Sequence, residues 1–376
     1  MNHPFKIALV SAFDYSFHGG VADHIRGLAA QFNNWGHSVR VIAPCSAPER
    51  ITDDNFIPMG KPVPLPSGGS IARISLSVWL RPRIKSLLRD ENFDIIHLHE
   101  PFAGVVPVNV LSLSKAVNIA TFHTYMGTRL YKLGGSKLAR RYFRKIHGHI
   151  AVSEPARQFI NQYFPANYKV IPNGINLDNF NNGGEGFPYL RDGMTNILFV
   201  GRLEKRKGLK YLLAAYNILK PKWPNIRLLV VGPGDLDRES NKLIKDGQMK
   251  DVIFTGPVSD TDKIRYYKSA DIFCSPATGR ESFGIVLLEA MASGTPIVAS
   301  AIEGYSSVIN QGSDGLLVEP RNKYDLANHI EVLLKNPDLR ASLASNGLNK
   351  AKEFRWERVA GEIIEYYENC MAHNRS

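Results

Sequence analysis

Glu281-Ser282-Phe283-Gly284-Ile285-Val286-Leu287-Leu288-Glu289, followed by Ala290-Met291-Ala292-Ser293-Gly294-Thr295-Pro296, sets two carboxylates at the two ends of an apolar run that reads as one helix. At about 1.5 Å of rise per residue, eight steps separate the glutamates by roughly 12 Å if the whole run is helical. The paired carboxyls of a glycosidase stand only about 5–9.5 Å apart, so these two do not share one reacting bond. Their spacing suits two hydroxyl-rich parts of one long ligand, such as the two sugars of a nucleotide sugar. The plainer alternative is a helix-terminal charge at Glu281 and a solvated Glu289.

Outward from this stretch the chain alternates short apolar runs with amphipathic ones. Lys6 to Ser11 reads as a strand, Gly19-Gly20 as a turn, and Ala22 to Trp35 as a helix with Ile25, Leu28, Ala29 and Phe32 on one face. Strands follow at Ser38 to Ala43, Phe93 to Leu98, Asn118 to Phe122 and His149 to Val152, with a helix around Trp79 to Arg89. The plan repeats with strands at Asn196 to Val200, Ile226 to Val231, Asp251 to Phe254, Ile272 to Ser275 and Pro296 to Ala299, and a helix from Gly208 to Leu219. Alternation of this kind predicts an α/β fold of parallel sheets covered on both faces. At 376 residues the chain exceeds the usual size of one core, so two Rossmann-like domains are expected. The boundary is placed near Pro172-Asn173-Gly174, giving residues 1–172 and 173–355, with a C-terminal helix over 356–376 able to close either one.

Composition excludes several classes. With 44% apolar and 22% charged residues the chain is globular, not disordered. Three scattered cysteines show neither metal spacing nor a disulfide framework and suit a reducing compartment. The N-terminus lacks a signal-peptide layout, and the longest mostly uncharged run, Pro101 to Ser114, is too short to cross a bilayer. The net charge of +11 is lopsided, since residues 1–172 hold 20 Lys+Arg against 10 Asp+Glu. No acidic residue lies between Glu100 and Glu154, where Lys115, Arg129, Lys132, Lys137, Arg140, Arg141, Arg144 and Lys145 all fall, with Tyr125, Tyr131, Leu133, Tyr142 and Phe143 among them. Together with Arg81, Arg83, Lys85 and Arg89, beside the apolar stripe Leu80, Ile84, Leu87 and Leu88, they predict a surface for anionic lipid headgroups. No nucleic-acid motif accompanies the charge, and no nucleic-acid partner is expected.

Three loops carry candidate chemistry. Gly19-Gly20-Val21 sits between a strand and a helix, where backbone amides and the helix dipole favour an anion. Gly201-Arg202-Leu203-Glu204-Lys205-Arg206-Lys207-Gly208 also joins strand to helix, and its four cations beside a helix N-terminus repel the dipole until a diphosphate arrives. His123 ends the strand of Ala120-Thr121-Phe122-His123-Thr124. His97, His99 and Glu100 end another, with a structural or substrate-lining role preferred, since no third metal ligand is placed by spacing. Asp235-Leu236-Asp237 and Asp260-Thr261-Asp262 match a metal-holding pattern, but the cationic loop already neutralises a diphosphate, so no metal is expected.

Taken together these residues resemble glycosyltransferase family four, retaining enzymes of the GT-B fold, whose parallel sheets face one another across a deep cleft. Within it the chain looks most like the bacterial phosphatidylinositol mannosyltransferases. The matching runs are Gly19-Gly20-Val21, Gly69-Ser70-Ile71-Ala72-Arg73, His99-Glu100-Pro101, Ala120-Thr121-Phe122-His123-Thr124, Ile171-Pro172-Asn173-Gly174 and Glu281 to Leu287. The resemblance implies transfer of a hexose, best mannose from GDP-mannose, onto a lipid headgroup such as phosphatidylinositol, with no further cofactor. It implies a donor site of Gly19, Gly20, Arg202, Lys207, Val258, Asp260, Lys263, Glu281, Ser282, Phe283, Gly284 and Glu289. Asp260 would read guanine, Glu281 the hexose and Glu289 the ribose. His123, Glu281, Arg202 and Lys207 carry the catalytic roles, while Ser70 and Arg73 meet the acceptor. Ala22, Ser67 and Gly68 depart from the larger polar or aromatic groups of those enzymes, which keeps open a UDP-sugar enzyme acting on diacylglycerol or another acceptor. A non-catalytic lipid- or nucleic-acid-binding scaffold is the alternative of another class. The expected location is cytoplasmic, peripheral on the inner face of the cell membrane.

Overall fold

The computed structural model of the chain describes residues 4–17, 19–67, 70–125, 137–246 and 250–375, without the side chains of residues 67, 70, 246 and 375. The chain divides into two units, Met1–Gly174 with Trp356–Ser376, and Ile175–Arg355. The first is built on β1 (Lys6–Ser11), β2 (Ser38–Ala43), β3 (Phe56–Pro58), β4 (Val63–Ser67), β5 (Ser70–Ile74), β6 (Ile95–His99), β7 (Val117–Phe122), β8 (Gly148–Ala151) and β9 (Tyr168–Val170). Seven of these form a sheet in the order β3-β2-β1-β6-β7-β8-β9, and β4 pairs with β5 as a separate antiparallel hairpin. The second is built on β10 (Thr195–Val200), β11 (Ile226–Val231), β12 (Val252–Gly256), β13 (Ile272–Ser275), β14 (Ile297–Ser300) and β15 (Leu316–Val318). Their order is β12-β11-β10-β13-β14-β15, and every pairing in the two large sheets is parallel.

Each sheet runs outward in one direction from its first strand and then reverses, so the order changes sense between β1 and β6 and between β10 and β13. Connections leave the carboxyl ends of those neighbours toward opposite faces, and the crevice between them is where open α/β sheets bind ligands. The loops after β1 and β6 in the first unit, and after β10 and β13 in the second, therefore hold each unit's candidate groups.

The strands are apolar on both faces because helices cover both. Ile7 and Leu9 pack into one cluster with Ile25, Leu28 and Phe32, while Ala8 and Val10 pack into another with Ile84, Leu98 and Val110. The C-terminal helix Trp356–Arg375 belongs to the first unit, where Val359, Ala360, Ile363 and Tyr367 are buried against the sheet. Burying Val359 and Ile363 contributes roughly 1.5–3 kcal/mol each. A Cβ at Gly27 would overlap the Trp356 indole at 2.1 Å, so only glycine admits that helix so closely.

Two expectations need correction. The Glu281–Glu289 run is not one helix: the helix covers Ile285–Ala292, and Gly284 ahead of it has φ 96°. A left-handed residue cannot propagate an α-helix, so Glu281 lies in the preceding loop and the 12 Å spacing does not apply. The hairpin β4–β5, with Pro64 and Pro66 in its first strand, is an element the strand pattern did not include; a two-stranded hairpin is all edge, where proline is accommodated.

Candidate active site

In the second unit, the turn after β10 leads through Lys205–Lys207 into the helix Leu209–Leu219. The loop after β13 carries Glu281 back to it. Glu204 accepts from Arg202 at 3.1 Å and from Arg206 at 2.9 Å, and Glu281 accepts from Arg206 and, at 2.8 Å, from Lys207. The charges thus alternate as Arg202, Glu204, Arg206, Glu281, Lys207. This corrects the expectation of unrelieved repulsion in the loop: two carboxylates already offset three of its cations.

The same ladder sets the ionisation of its members. Burial opposes the Glu281 charge, but Lys207 and Arg206 outweigh it and hold the carboxyl below its usual range. For Arg206 burial likewise opposes the charge, and Glu281 with Glu204 raises the guanidinium pKa above its usual value. The loop is held in place by a close approach, for a Cβ at Gly304 would stand 2.1 Å from the Glu281 carbonyl oxygen. Phe283 is buried in the core, Ser282 lies beside it, and the Tyr305 ring fills the space over Gly284.

Glu289, one turn into the helix Ile285–Ala292, accepts from Lys263 at 2.9 Å and from the Tyr267 hydroxyl at 2.9 Å. Lys263 also reaches Asp260 at 3.3 Å, so one ammonium ties together Asp260 and Glu289, two positions far apart in sequence. Val258 packs partly buried against the core just before the helix Asp260–Ser269. The Asp-x-Asp pairs act as helix starts: Asp262 accepts from Ser259 and Asp237 from the Ser240 N–H. Among the described residues neither pair gathers a third metal-type ligand.

In the first unit, Gly19 caps and Gly20 begins the helix Gly20–Asn34. Gly19 has φ 173°, ordinary extended backbone, and a Cβ there would meet nothing within 4 Å among the described residues. Neither conformation nor internal packing demands glycine at that point. His123 follows β7, and its Nε2 shares a 3.0 Å hydrogen bond with His99 Nδ1 at the end of β6. Glu100, buried and in the left-handed region at φ 57°, accepts through Oε1 from the His123 N–H at 2.6 Å, the Thr124 N–H at 2.7 Å and the Thr124 hydroxyl at 2.8 Å. Burial, followed by the neighbouring His24 and His97, pushes the His123 pKa well below the usual imidazole value. Its ring is neutral at pH 7.

On the basic face, Ile84 is buried while Arg81, Arg83, Lys85 and Arg89 of the helix Arg81–Glu91 are exposed. Arg81 is held by the Ser112 hydroxyl at 2.8 Å, and Arg89 pairs with Asp90 at 2.9 Å. Arg73 lies over the Phe17 ring at 4.0 Å. The Ser70 side chain, Gly68 and the segment with Arg129, Tyr131, Lys132 and Leu133 lie outside the described residues. Two features escaped the sequence pattern. Arg206 pairs with a carboxylate 75 positions away, which no local spacing announces, and His24 joins His99 and His123; its place on the buried face of its helix, four residues before Leu28, was the available signal.

Residues 18–179 match the model of Glycosyltransferase Family 4 and residues 189–350 that of Glycosyl transferases group 1. A phosphatidyl-myo-inositol mannosyltransferase of Mycobacterium leprae is 35% identical over 364 residues, covering 96% of both chains. That of Propionibacterium freudenreichii is 30% identical, covering 96% of this chain and 94% of its own. The chain belongs to glycosyltransferase family 4. It is therefore a hexosyltransferase with a nucleotide-sugar donor. The fold agrees with solved GT-B enzymes: a glycosyltransferase from Rickettsia africae superposes with TM-score 0.79 at 21% identity over 98% of this chain and 99% of its own. Anabaena Alr3699/HepE, solved with UDP and glucose, gives 0.78 at 20% over 97% and 100%. In this transferase no helix among the described residues is long and apolar enough to cross a membrane.

Proposed function

We propose that this transferase moves mannose from GDP-mannose, with retention, onto the inositol headgroup of phosphatidylinositol while resting on an anionic membrane. The observation that carries the donor side is the alternating ladder from Arg202 to Lys207 through Glu281. A diphosphate entering it takes Arg202 and Lys207 as partners in place of carboxylates, and preorganised cations of this kind stabilise charge developing on a departing phosphate. Gly19 leaves open the approach of a phosphate to the first turn of the helix that Gly20 begins. Glu281, once shared by fewer cations, accepts from the hexose hydroxyls. Glu289 accepts from the ribose, and Asp260 beside it accepts from the ring N–H and amino group of guanine, an adjacent donor pair that uracil lacks. Lys263 and Val258 orient and border that base. His123, neutral and held through its backbone by Glu100, lines the sugar. Attack from the leaving-group face, assisted by the departing phosphate oxygen, needs no protein nucleophile.

The acceptor side is supported by the relatives, which are named for phosphatidyl-myo-inositol, and by the first unit's surface. Beside the exposed cations of Arg81–Glu91 stand Leu76, Val78 at 67% exposure and Trp79 at 86%. Aromatic and aliphatic groups next to Lys and Arg are what an interfacial surface offers to headgroups and acyl chains. Arg73 and Ser70 meet the inositol phosphate. The location follows: peripheral, on the cytoplasmic face of the cell membrane. Incubation with labelled GDP-mannose or UDP-glucose, with and without vesicles of phosphatidylinositol or diacylglycerol, tests both halves. Mannosylated phosphatidylinositol is the expected product. Transfer from UDP-glucose alone would overturn the guanine assignment, and salt-sensitive vesicle binding with no transfer from any donor would favour the scaffold.

A further inference from the structure

Among the described residues, one group of side chains has the composition and closeness of a transition-metal site. His24, His99 and His123 each offer a ring nitrogen, and the three nitrogens lie within 4.8 Å of one another. They come from the helix Gly20–Asn34 and from the ends of β6 and β7, so the fold assembles them. All three rings are buried, with centroids 4.9–5.3 Å apart.

Internal hydrogen bonding does not satisfy this group. A neutral imidazole carries one N–H and one lone pair. The bond between His99 Nδ1 and His123 Nε2 uses one nitrogen of each. Both nitrogens of His24 and Nε2 of His99 are left buried without a hydrogen bond of ordinary geometry among the described residues. The Asn173 side chain is a polar neighbour of His24, yet its own Oδ1 is also unsatisfied. A leucine at position 24 would fill the space against Trp356, whose ring lies 5.2 Å away, without stranding two polar atoms. By contrast His97, equally buried, has both nitrogens engaged, at 2.6 Å to the Thr121 hydroxyl and 2.6 Å to the Tyr367 hydroxyl. His97 thus finds two partners, whereas among the described residues His24 has only the Asn173 side chain beside it.

We propose that His24, His99 and His123 bind one divalent transition-metal ion of borderline softness, with zinc the best match, through three imidazoles and an open fourth position. Three imidazoles and a vacancy are a recognised zinc environment, and imidazole also suits copper and nickel. Imidazole ligates a metal in its neutral form. Tetrahedral zinc–nitrogen bonds of about 2.0–2.1 Å place donor atoms about 3.3 Å from one another, so binding rotates the rings inward from their present spacing. The buried Glu100 carboxylate, 2.6 Å from the His123 backbone nitrogen, supplies a nearby negative charge. On the donor assignment above, an ion held here competes with the sugar for His123. Binding itself stands on the three histidines and is tested without substrate, so its failure and a failure of the donor assignment are separate results.

The test uses the full chain without a polyhistidine tag, stripped with chelator and titrated with zinc chloride by calorimetry, then with cobalt chloride by visible absorption and Trp356 fluorescence. We expect one zinc per chain, a tetrahedral cobalt spectrum, and saturable quenching by cobalt that Trp356→Phe diminishes. His24→Leu and His99→Gln, confirmed folded by circular dichroism, should each weaken zinc binding at least about tenfold, the lower range seen when support of a metal site is removed. His329→Ala, a histidine of the second unit paired with Asp325, should leave it unchanged. Zinc in excess should also raise the thermal midpoint of the unmodified chain, because the folded site alone gathers the ligands. The absence of stoichiometric uptake, a cobalt spectrum of hexa-aqua character, or unchanged affinity in both folded variants would each overturn the site; the first two need no variant.

Discussion

The two units end their central strands in opposite chemistry. At β10 and β13 the loops carry full charges, interleaved as Arg202, Glu204, Arg206, Glu281 and Lys207. At β6 and β7 the strand ends carry buried neutral imidazoles, His97 and His99 within β6 and His123 just after β7. Among the described residues the histidines whose pKa is lowered belong to the first unit, and the second unit contains only one histidine, His329. A ladder of ion pairs exchanges partners with an incoming anion at little cost, because each cation trades one carboxylate for a phosphate. A neutral cluster holds its shape and protonation while charge moves nearby. The same topology thus supplies one charged mouth and one uncharged mouth, and the division of labour lies in the loops, not in the sheets.

The strongest way to break the contrast is to remove a rung of the ladder. Arg202→Ala or Lys207→Ala should lower kcat by about 10²–10³-fold, the usual loss when one charge-stabilising donor is deleted, measured as mannose transfer at saturating donor. Arg206→Met should act differently, because Arg206 neutralises Glu281 and Glu204 more than it contacts phosphate. We expect a smaller loss, on the order of tenfold, with the acid limb of the pH–rate profile moved upward as the Glu281 carboxyl loses one of the cations that depress it.

Membrane attachment should respond only to the first unit. Replacing Arg83 and Lys85 together by Ala should weaken sedimentation with phosphatidylinositol vesicles by about 2 kcal/mol, roughly thirtyfold, at about 1 kcal/mol per basic residue near the surface. The effect should shrink as salt rises, and equivalent changes at Lys242 and Lys245 of the second unit should do nothing.

A pH dependence of stability should set the first unit apart as well. Burial pushes His149 down to about 4, so above pH 6.5 it is neutral in both folded and unfolded chains and contributes no slope. Below 6.5 the unfolded chain takes up a proton that the folded chain refuses, and stability falls with falling pH until about 4, by at most about 1.4 kcal/mol per pH unit for this residue. Domain-resolved hydrogen exchange between pH 7 and 4.5 should show the first unit loosening before the second, and His149→Phe should reduce the slope.

Much of this contrast was readable before the fold was known, and the residues say why. Strands β1, β10 and β11 each contain an unbroken run of four apolar residues, Ile7–Val10, Ile197–Val200 and Leu228–Val231, and the glycine turn and cationic loop follow the first two, so local pattern located both mouths. The Glu281–Glu289 stretch drew attention to the right residues for an incorrect geometric reason, since Gly284 and the close approach of Gly304 put Glu281 in a loop. Its pairing with Arg206, the reach of Lys263 to Glu289, and the meeting of His24 with His99 and His123 join residues brought together only by the tertiary fold. Side-chain partners set by topology leave no periodic trace in a single sequence. The exposed Trp79 was likewise hidden, because an apolar residue beside an amphipathic helix reads as core until burial is known.

The most direct test of the central claim is a donor comparison on one acceptor. The purified chain is mixed with phosphatidylinositol vesicles and, separately, labelled GDP-mannose and UDP-glucose, alongside Asp260→Ala. The account predicts mannosylated lipid from GDP-mannose, little from UDP-glucose, and a reduced preference for the guanine donor in the variant. Efficient transfer from UDP-glucose with none from GDP-mannose would contradict it.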